Sequence, residues 1–149
     1  LDRFMIRLSM GYPSHDAAVQ ILKGQEFVPI NGVNLVVSRE ELVELQKKTN
    51  SLSVHDSIFD YIVTLIEKTR NNEYFALGAS PRGANSLLRM SRAMALLSGR
   101  NYVVPDDIEA VFTAVLGHRV KLSSRARANG FTVDTALEEV RKSVKLPRT

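Results

Sequence analysis

A six-residue stretch, Gly78-Ala79-Ser80-Pro81-Arg82-Gly83, combines residues that favour a helix start with an arginine. Ser80 is predicted to cap the helix, because its hydroxyl can accept a hydrogen bond from a free backbone N–H. Pro81 suits the first helical position, where it has no N–H to lose. Arg82 then falls in the first turn, where the helix dipole favours anions and opposes a cation. This placement is favourable if the guanidinium binds a phosphate. The alternative interpretation is that Arg82 is an ordinary surface arginine.

Other residues with catalytic or metal-binding potential do not group in the sequence. The chain has 149 residues and no cysteine, so it has neither a disulfide framework nor thiolate chemistry. Its three histidines, His15, His55 and His118, lack the spacing of metal ligands, and we expect no metal site in this chain. No Ser/His/Asp grouping stands out, and no phosphate loop of the type G-x-x-x-x-G-K-S/T is present.

The composition predicts an ordinary globular protein. Hydrophobic residues make up 44% and charged residues 24% of the chain. The net charge of +4 allows a polyanionic partner without requiring one. No run reaches the roughly 18 apolar residues of a membrane span, and no signal peptide is recognisable, so we expect a cytoplasmic protein. Because the chain starts at Leu1 without a methionine, we expect a fragment of a larger protein.

The spacing of apolar residues predicts a mainly helical bundle with one N-terminal strand. The strand is expected from Phe4 to Met10, without its sheet partners. Helices are expected over about 14–24, 38–50, 56–70, 80–97, 105–117 and 134–144. The expected buried faces comprise Ile58, Phe59, Ile62, Val63, Leu65 and Ile66; Leu87, Leu88, Met94, Ala95 and Leu97; and Ile108, Val111, Phe112 and Val115.

The segments between these helices are predicted to be loops or short extended pieces. Residues 27–37 form either a hairpin turning at Asn31-Gly32 or a loop with extended arms. Residues 71–77 are expected to be a connection, 118–122 a short extended segment, and 123–130 a mobile basic loop. Ser86 and Arg89 are expected on the same outward face as Arg82.

Four segments together resemble the C-terminal part of a MoxR-type AAA+ ATPase, a group related to magnesium-chelatase ATPase subunits. The last strand of the AAA+ core has its counterpart in Leu1-Asp2-Arg3-Phe4 and Arg7-Leu8-Ser9-Met10-Gly11-Tyr12-Pro13. The sensor-2 motif has its counterpart in Gly78-Ala79-Ser80-Pro81-Arg82. The segments that follow it resemble Asn101-Tyr102-Val103-Val104-Pro105-Asp106-Asp107-Ile108 and Val115-Leu116-Gly117-His118-Arg119-Val120. Each match alone is weak, whereas all of them in order are specific.

The resemblance covers essentially the whole chain and implies its fold. It implies an AAA+ lid bundle of five to six helices with a remnant strand of the αβα ATPase core. Residues 1–13 would be the end of the core, 14–52 connecting helices and an extended linker, and 53–149 the helical lid domain. Two features depart from the family pattern. Val104 stands where a threonine N-cap is common, and residues 25–37 are unusually apolar for a connection.

The resemblance also implies an activity for the intact protein. ATP and Mg²⁺ would bind between neighbouring subunits of a ring, usually a hexamer. Ser80, Pro81 and Arg82 would lie at the nucleotide. Arg82 would be the sensor-2 arginine, which contacts the γ-phosphate. Arg3 would be the arginine finger at the adjacent subunit's nucleotide; its alternative is a salt-bridged arginine. Both would stabilise charge on the transferring phosphoryl group. The sequence leaves open whether Arg82 acts within its own subunit or across the boundary.

The nucleotide site implied in this way is incomplete in the chain. The Walker A loop, the Walker B carboxylates and sensor 1 are absent from it, so we expect the chain alone neither to hydrolyse ATP nor to bind nucleotide or metal tightly. The resemblance also implies a chaperone-like role, in which MoxR-type ATPases mature or activate enzyme complexes, often with partners that carry a von Willebrand factor A domain. The client cannot be identified from the sequence.

Two other functions remain as alternatives. A protein-interaction module would need no nucleotide. A basic helical nucleic-acid-binding module is less favoured, because the net charge is small, tryptophan is absent and no helix-turn-helix spacing is found. Its phosphate contacts would come from Arg82, Arg89, Arg119, Lys121, Arg125 and Arg127.

Overall fold

The computed structural model describes residues 2–24 and 32–147. These residues form seven helices and a two-stranded sheet, which confirms the mainly helical fold with more helices than the five to six expected. In chain order the elements are α1 (His15–Leu22), α2 (Arg39–Ser51), α3 (Asp56–Arg70), β1 (Phe75–Leu77), α4 (Pro81–Leu97), α5 (Pro105–Leu116), β2 (Lys121–Leu122), α6 (Ser124–Ala128) and α7 (Val133–Ser143).

The chain divides into two compact units. The smaller unit, Leu8–Gln46, contains α1 and most of α2, and neither helix buries a residue. The capping box predicted at the start of α2 is confirmed: Glu41 N–H donates to Ser38 Oγ at 3.2 Å, and Ser38 N–H donates to the Glu41 carboxylate at 2.8 Å. The bond from the Ser38 backbone lowers the pKa of the Glu41 carboxyl.

The hairpin predicted at Asn31-Gly32 lies partly outside the described residues. Residues 25–31, which include the first half of the predicted hairpin, are not described. Residues 33–36 of its second arm are described and contain no strand.

The larger unit, Leu1–Arg7 with Lys47–Thr149, holds the core, and α3 supplies one of its main faces. The buried residues of α3 recur every three or four positions, as expected for one face of a helix: Ile58, Tyr61, Ile62, Leu65, Ile66 and Thr69. The predicted stripe was wrong at Phe59 and Val63, which are 39% and 51% exposed. Tyr61 is buried instead, and its hydroxyl is satisfied by donating to Glu109 Oε1 at 3.4 Å.

Helix α4 packs against α5 and α3, mostly through small residues. Its buried face contains Gly83, Ser86, Leu87, Ser91 and Ala95. Ser86 was predicted on the outward face but is buried, and Leu97 was predicted in the core but is 82% exposed. The face predicted for α5 is confirmed: Ile108, Val111, Phe112 and Val115 are all buried.

The strand predicted from Phe4 to Met10 is wrong, since none of these residues lies in a strand. A strand is stable only beside a hydrogen-bonded neighbour, and no part of the described chain pairs with this segment as a ladder. The segment is attached differently at Arg7, whose backbone N–H donates to the Ala114 carbonyl at 2.9 Å.

Two further differences follow α3. The predicted connection over residues 71–77 contains β1, which pairs antiparallel with β2 so that Phe75 faces Leu122. The extended segment predicted over residues 118–122 is therefore confirmed in β2. The basic loop predicted over residues 123–130 contains α6, which Ser123 caps by accepting the Ala126 N–H at 3.1 Å. Among the described helices, none has the length and apolar character needed to cross a bilayer.

Candidate functional site

Helix α4 begins as predicted, at Ser80. Ser80 has an extended backbone, with φ −80° and ψ 166°, and its hydroxyl accepts the Gly83 N–H at 3.4 Å. Pro81 occupies the first turn, which contains no acidic residue. The first turn therefore keeps the positive end of the helix dipole without a carboxylate of its own.

The side chain of Arg82 projects from this turn into solvent. Arg82 is exposed, and across residues 2–24 and 32–147 it forms no ion pair with a carboxylate. A guanidinium beside a helix N-terminus, with no internal partner, is positioned to bind an external anion such as a phosphate.

The residues just before the helix start are fixed to the end of α3. The Ala79 N–H donates to Thr69 Oγ1 at 2.9 Å, and the Ala79 carbonyl accepts Arg70 Nε at 2.7 Å. Thr69 and Ala79 are almost fully buried. A Cβ at Gly78 would lie 2.6 Å from the Thr69 carbonyl oxygen and 2.7 Å from Arg70 Cα, so this position accepts only glycine without movement. The α4 start is therefore held rigidly from behind.

Sequence reasoning missed this support. It assigned Gly78 and Ala79 to the motif without a structural role and gave none to Thr69 or Arg70. The signal that could have found it is the small pair Gly78-Ala79 directly before a capping serine, which allows a close backbone approach.

A second arginine, Arg119, lies behind the first turn of α4 and is only 7% exposed. Its guanidinium forms an ion pair with the Asp2 carboxylate and donates to the Asp2 carbonyl at 2.7 Å. It also donates to Ser86 Oγ at 3.1 Å, while its Nε donates to the Val115 carbonyl at 2.9 Å. The Val115 carbonyl belongs to the last turn of α5, where a cation is favourable.

The same guanidinium reaches the backbone on both sides of Arg3. Its Nη2 donates to the carbonyls of Phe4 and Met5, the latter at 3.4 Å. His118 Nε2 is hydrogen-bonded to the Phe4 carbonyl as well, at 3.0 Å. The Asp2 carboxylate also accepts a long hydrogen bond, 3.4 Å, from Ser80 Oγ. The opening segment of the chain is therefore attached to the start of α4.

Arg3 itself is exposed within this attached segment. The described part of the chain offers it no ion pair, so its predicted alternative as a salt-bridged arginine finds no partner there. The structure brings the backbone of Arg3 and the start of α4 together through Asp2 and Arg119. Among the described residues, no hydrogen bond or ion pair joins Arg3 directly to Arg82.

The basic run that suggested nucleic-acid binding is not one continuous surface. Arg119 is buried and bound by protein groups, so it cannot contact phosphates. Arg125 is exposed but lies 3.4 Å from the Glu73 carboxylate. Since two members of the run already have protein partners, the structure gives the nucleic-acid alternative no added support.

The histidines serve structural roles where their contacts are described. His55 caps α3, with Nδ1 accepting the Ser57 N–H at 3.2 Å. The Nδ1 atom of His118 is buried without a hydrogen-bond partner among the described residues. Those residues contain no group of three or more histidine, cysteine, aspartate or glutamate side chains that could hold a metal ion.

Comparison with known proteins gives matches over the same region. Residues 67–140 match the family of AAA lid domains. The chain is 38% identical over 148 residues to the YeaC protein of Bacillus subtilis (strain 168), which is described as uncharacterised; the match covers 99% of the chain and 46% of YeaC. It is 31% identical over 156 residues to the chaperone MoxR1 of Mycobacterium tuberculosis, covering 99% of the chain and 41% of MoxR1.

A solved structure gives the same result for the fold. The crystal structure of a predicted ATPase from Cytophaga hutchinsonii matches with a TM-score of 0.83 and 27% identity, covering 99% of this chain and 48% of that protein. The chain thus spans less than half the length of each of these relatives. The lid-domain match, the MoxR1 relative and the shared fold together show that the chain belongs to the MoxR family of AAA+ ATPases and corresponds to the C-terminal part of its members.

Proposed function

We propose that this chain supplies two arginines to the ATP site of a ring-forming ATPase. Arg82 is the sensor-2 residue on the γ-phosphate, and Arg3 is the arginine finger at the neighbouring subunit's nucleotide. The observation that carries the proposal is the exposed Arg82 guanidinium in the first turn of α4, with no carboxylate partner in the described ranges. Ser80 and Pro81 set the geometry of that turn, so they fix where the guanidinium is presented.

The residues present fit a triphosphate better than they fit a metal ion. The helix start combines a dipole that favours anions with a planar donor suited to phosphate oxygens. No acidic cluster for a divalent cation is found in the described residues, so we propose that Mg²⁺ accompanies ATP with ligands from outside this chain. ATP supplies the phosphoryl group that is transferred to water.

The two arginines act on charge rather than by covalent chemistry. As the bond to the γ-phosphoryl group breaks, negative charge spreads over its oxygens and the leaving oxygen. Fixed guanidinium groups that face these oxygens stabilise the transition state without reorganising. The attachment of Ala79 to α3 supports this role for Arg82, because it holds the start of α4 in place.

The test of Arg82 is its replacement in the full-length protein. We expect Arg82→Ala to lower kcat for ATP hydrolysis about 100-fold, as for loss of one preorganised donor. Arg89→Ala is the matched control, since Arg89 is an exposed arginine about two turns further along the same helix. Wild-type turnover by Arg82→Ala would contradict the sensor-2 assignment.

A mixing experiment tests Arg3 and the ring together. Each site takes residues from two neighbours, so Arg3→Ala and Arg82→Ala subunits can complement each other if the two arginines come from different subunits. An equimolar mixture should then recover about a quarter of the sites, whereas each variant alone stays inactive. Recovery would place Arg82 in the subunit that holds the nucleotide. No recovery, with both single variants inactive, would place both arginines on the same neighbour.

The chain alone is proposed to be inactive, since it contains no phosphate loop. Calorimetric titration of the 149-residue chain with ATP and Mg²⁺ should give no tight binding. Tight binding would show that the chain contains a nucleotide site of its own.

We also propose a chaperone-like role toward a protein client, in the cytoplasm and with partners that carry a von Willebrand factor A domain. The supporting observation is that the MoxR1 relative is named a chaperone. Adding such a partner from the same organism should change the ATP turnover of the full-length protein. Unchanged turnover would remove this partner class from the proposal.

A further inference from the structure

We propose that Arg119 is a positioning residue that couples Arg3 to the start of α4, so that both proposed ATP-site arginines belong to one rigid piece. The inference rests on the proposed function, because it concerns the same two arginines. It assigns a role to a residue that neither the motif nor the basic run explained.

The first argument is how Arg119 holds the backbone around Arg3. Its guanidinium donates to the carbonyl of Asp2 before Arg3 and to the carbonyls of Phe4 and Met5 after it. The backbone is therefore held at the Asp2–Arg3 peptide and again just after Arg3, at Phe4 and Met5, while the Arg3 side chain remains exposed. A finger that must reach a neighbouring subunit needs this combination of a fixed base and a free guanidinium.

The second argument is the link from Arg119 to α4. Ser86 Oγ, one turn after Arg82 on the same helix, accepts from the Arg119 guanidinium at 3.1 Å. A Cβ at Gly83 would lie 3.4 Å from Arg119 Cδ and 3.3 Å from Leu116, so glycine lets the helix approach this closely. The Asp2 carboxylate completes the link by contacting both Arg119 and Ser80.

The third argument concerns the charge itself. Burying a guanidinium is costly, and apolar packing at such a site is often as stable as an ion pair. The bundle holds other arginines that tie helices together at partly exposed positions: Arg100 contacts Asp107 at 2.6 Å, and Arg141 contacts Glu109 at 2.7 Å. Arg119 differs from them because most of its acceptors are backbone carbonyls, in addition to the Asp2 carboxylate and Ser86 Oγ. Several acceptors at one site call for a multidentate donor, and arginine supplies five N–H groups in a fixed plane. Arg119 therefore fits geometric positioning better than stability alone.

The expected consequence is coupling between the two proposed sites. Movement of α4 when Arg82 meets the γ-phosphate is passed through Ser86, Arg119 and Asp2 to the base of Arg3. If the mixing experiment places Arg82 at its own subunit's nucleotide and Arg3 at the neighbour's, Arg119 links one ATP site to the next around the ring.

The first experiment measures steady-state ATP hydrolysis by the full-length protein with Arg119→Lys and Arg119→Met. Lysine keeps the charge but cannot reproduce the planar set of bonds. Both variants should lower kcat about 10- to 100-fold, with KM for ATP within about twofold, because misplaced reacting groups affect the chemical step. Arg100→Met is the matched control: it should lower the thermal midpoint, since Asp107 is left buried and unpaired, but leave kcat near wild type.

The second experiment separates positioning from plain stability. If Arg119 acts through Arg3, the double variant Arg3→Ala/Arg119→Met should have a kcat within about twofold of that of Arg3→Ala alone. If Arg119→Met lowers kcat by the same factor in the wild type and in Arg3→Ala, the inference is overturned. If Arg119→Met does not fold, Arg119→Lys takes its place in the same cycle, because lysine keeps the positive charge beside Asp2 but cannot make the planar set of bonds to the carbonyls.

The two proposals fail in different ways. Normal turnover by Arg3→Ala and Arg82→Ala would overturn the proposed function and this inference with it. Impaired turnover by both, together with a wild-type kcat for Arg119→Lys and Arg119→Met, would overturn only the role of Arg119.

Discussion

At the scale of single residues, Gly78 has the tightest constraint in the motif. A methyl group there would overlap backbone atoms of Thr69 and Arg70, which cannot rotate away as a flexible side chain can. We expect Gly78→Ala to destabilise the chain by about 3 kcal/mol, measured by urea denaturation. Gly99→Ala is the control, because Gly99 has open space and a φ of +73°, so only about 1 kcal/mol of backbone strain is expected. Equal effects would contradict the close contact at Gly78.

Single residues also show how far sequence reasoning reaches. Ser80 and Pro81 were predicted correctly because capping depends on neighbours within the same turn. The sequence offers Arg119 only as a phosphate contact of the less favoured nucleic-acid alternative, yet it is buried. Its partners Asp2 and Phe4 lie more than 100 positions earlier in the chain, and no local pattern reports contacts across such a separation. The exposure of Arg82 was predicted, whereas the support behind it was not.

At the scale of elements, one arginine of α7 connects three helices. Arg141 pairs with Glu138 on its own helix at 2.6 Å and with Glu109 of α5 at 2.7 Å. Glu109 in turn accepts the Tyr61 hydroxyl of α3. These contacts shift the pKa values of Glu138 and Tyr61, so they make helix packing depend on pH in two separate ranges.

The first range is acidic. The hydrogen bond from Arg141 lowers the pKa of Glu138 below its ordinary value of 4.5. The ionised carboxylate therefore adds stability above that value, and this contribution is lost as the pH falls through the lowered pKa. We expect Glu138→Gln to lose less stability than wild type between about pH 6 and pH 3, measured by urea midpoints. Glu139→Gln, which removes a carboxylate 3.4 Å from Lys142, should behave like wild type.

The second range is alkaline. Burial, followed by the nearby Glu109 carboxylate, raises the pKa of Tyr61 from 10.0 to about 12. The neutral phenol adds stability below pH 10.0, and this is lost as the pH rises through about 12. In an absorbance titration, the chain should show a late step of tyrosine ionisation near pH 12, and Tyr61→Phe should remove that late step. A late step that persists in Tyr61→Phe would contradict this.

Elements were predictable in proportion to their length. Helices α3, α4 and α5 carry long apolar periodicity, and their bounds agree closely with the sequence prediction. Strand β1 and helix α6 have three and five residues, too few for a periodic signal. Strand β1 forms because it pairs with β2, where Phe75 lies opposite Leu122. Helix α6 is a short helix capped by Ser123. The strand pairing depends on a tertiary contact that no local pattern reports.

At the scale of the whole molecule, the predicted class is confirmed and the predicted three-part division stays a prediction. The chain separates into Leu8–Gln46 and the remainder, so the opening residues belong to the same compact unit as the lid helices. In the sequence, these opening residues are separated from the lid helices by the whole of the smaller unit, Leu8–Gln46. Distant contacts, chiefly those with Arg119, His118 and Ala114, explain why the opening segment belongs there.

The distant contacts of buried Arg119 also lead us to expect a particular order of folding. Helices α3 to α5 contact each other over short chain separations, which favours early formation. The bond between Asp2 and Arg119 closes a loop of more than 100 residues, so its entropic cost delays it. Pulsed hydrogen exchange during refolding should show protection of the Arg7 amide after that of the α5 amides. During synthesis the segment around Asp2 would leave the ribosome before Arg119 does, so it would stay undocked and open to chaperones or neighbouring chains until Arg119 emerges.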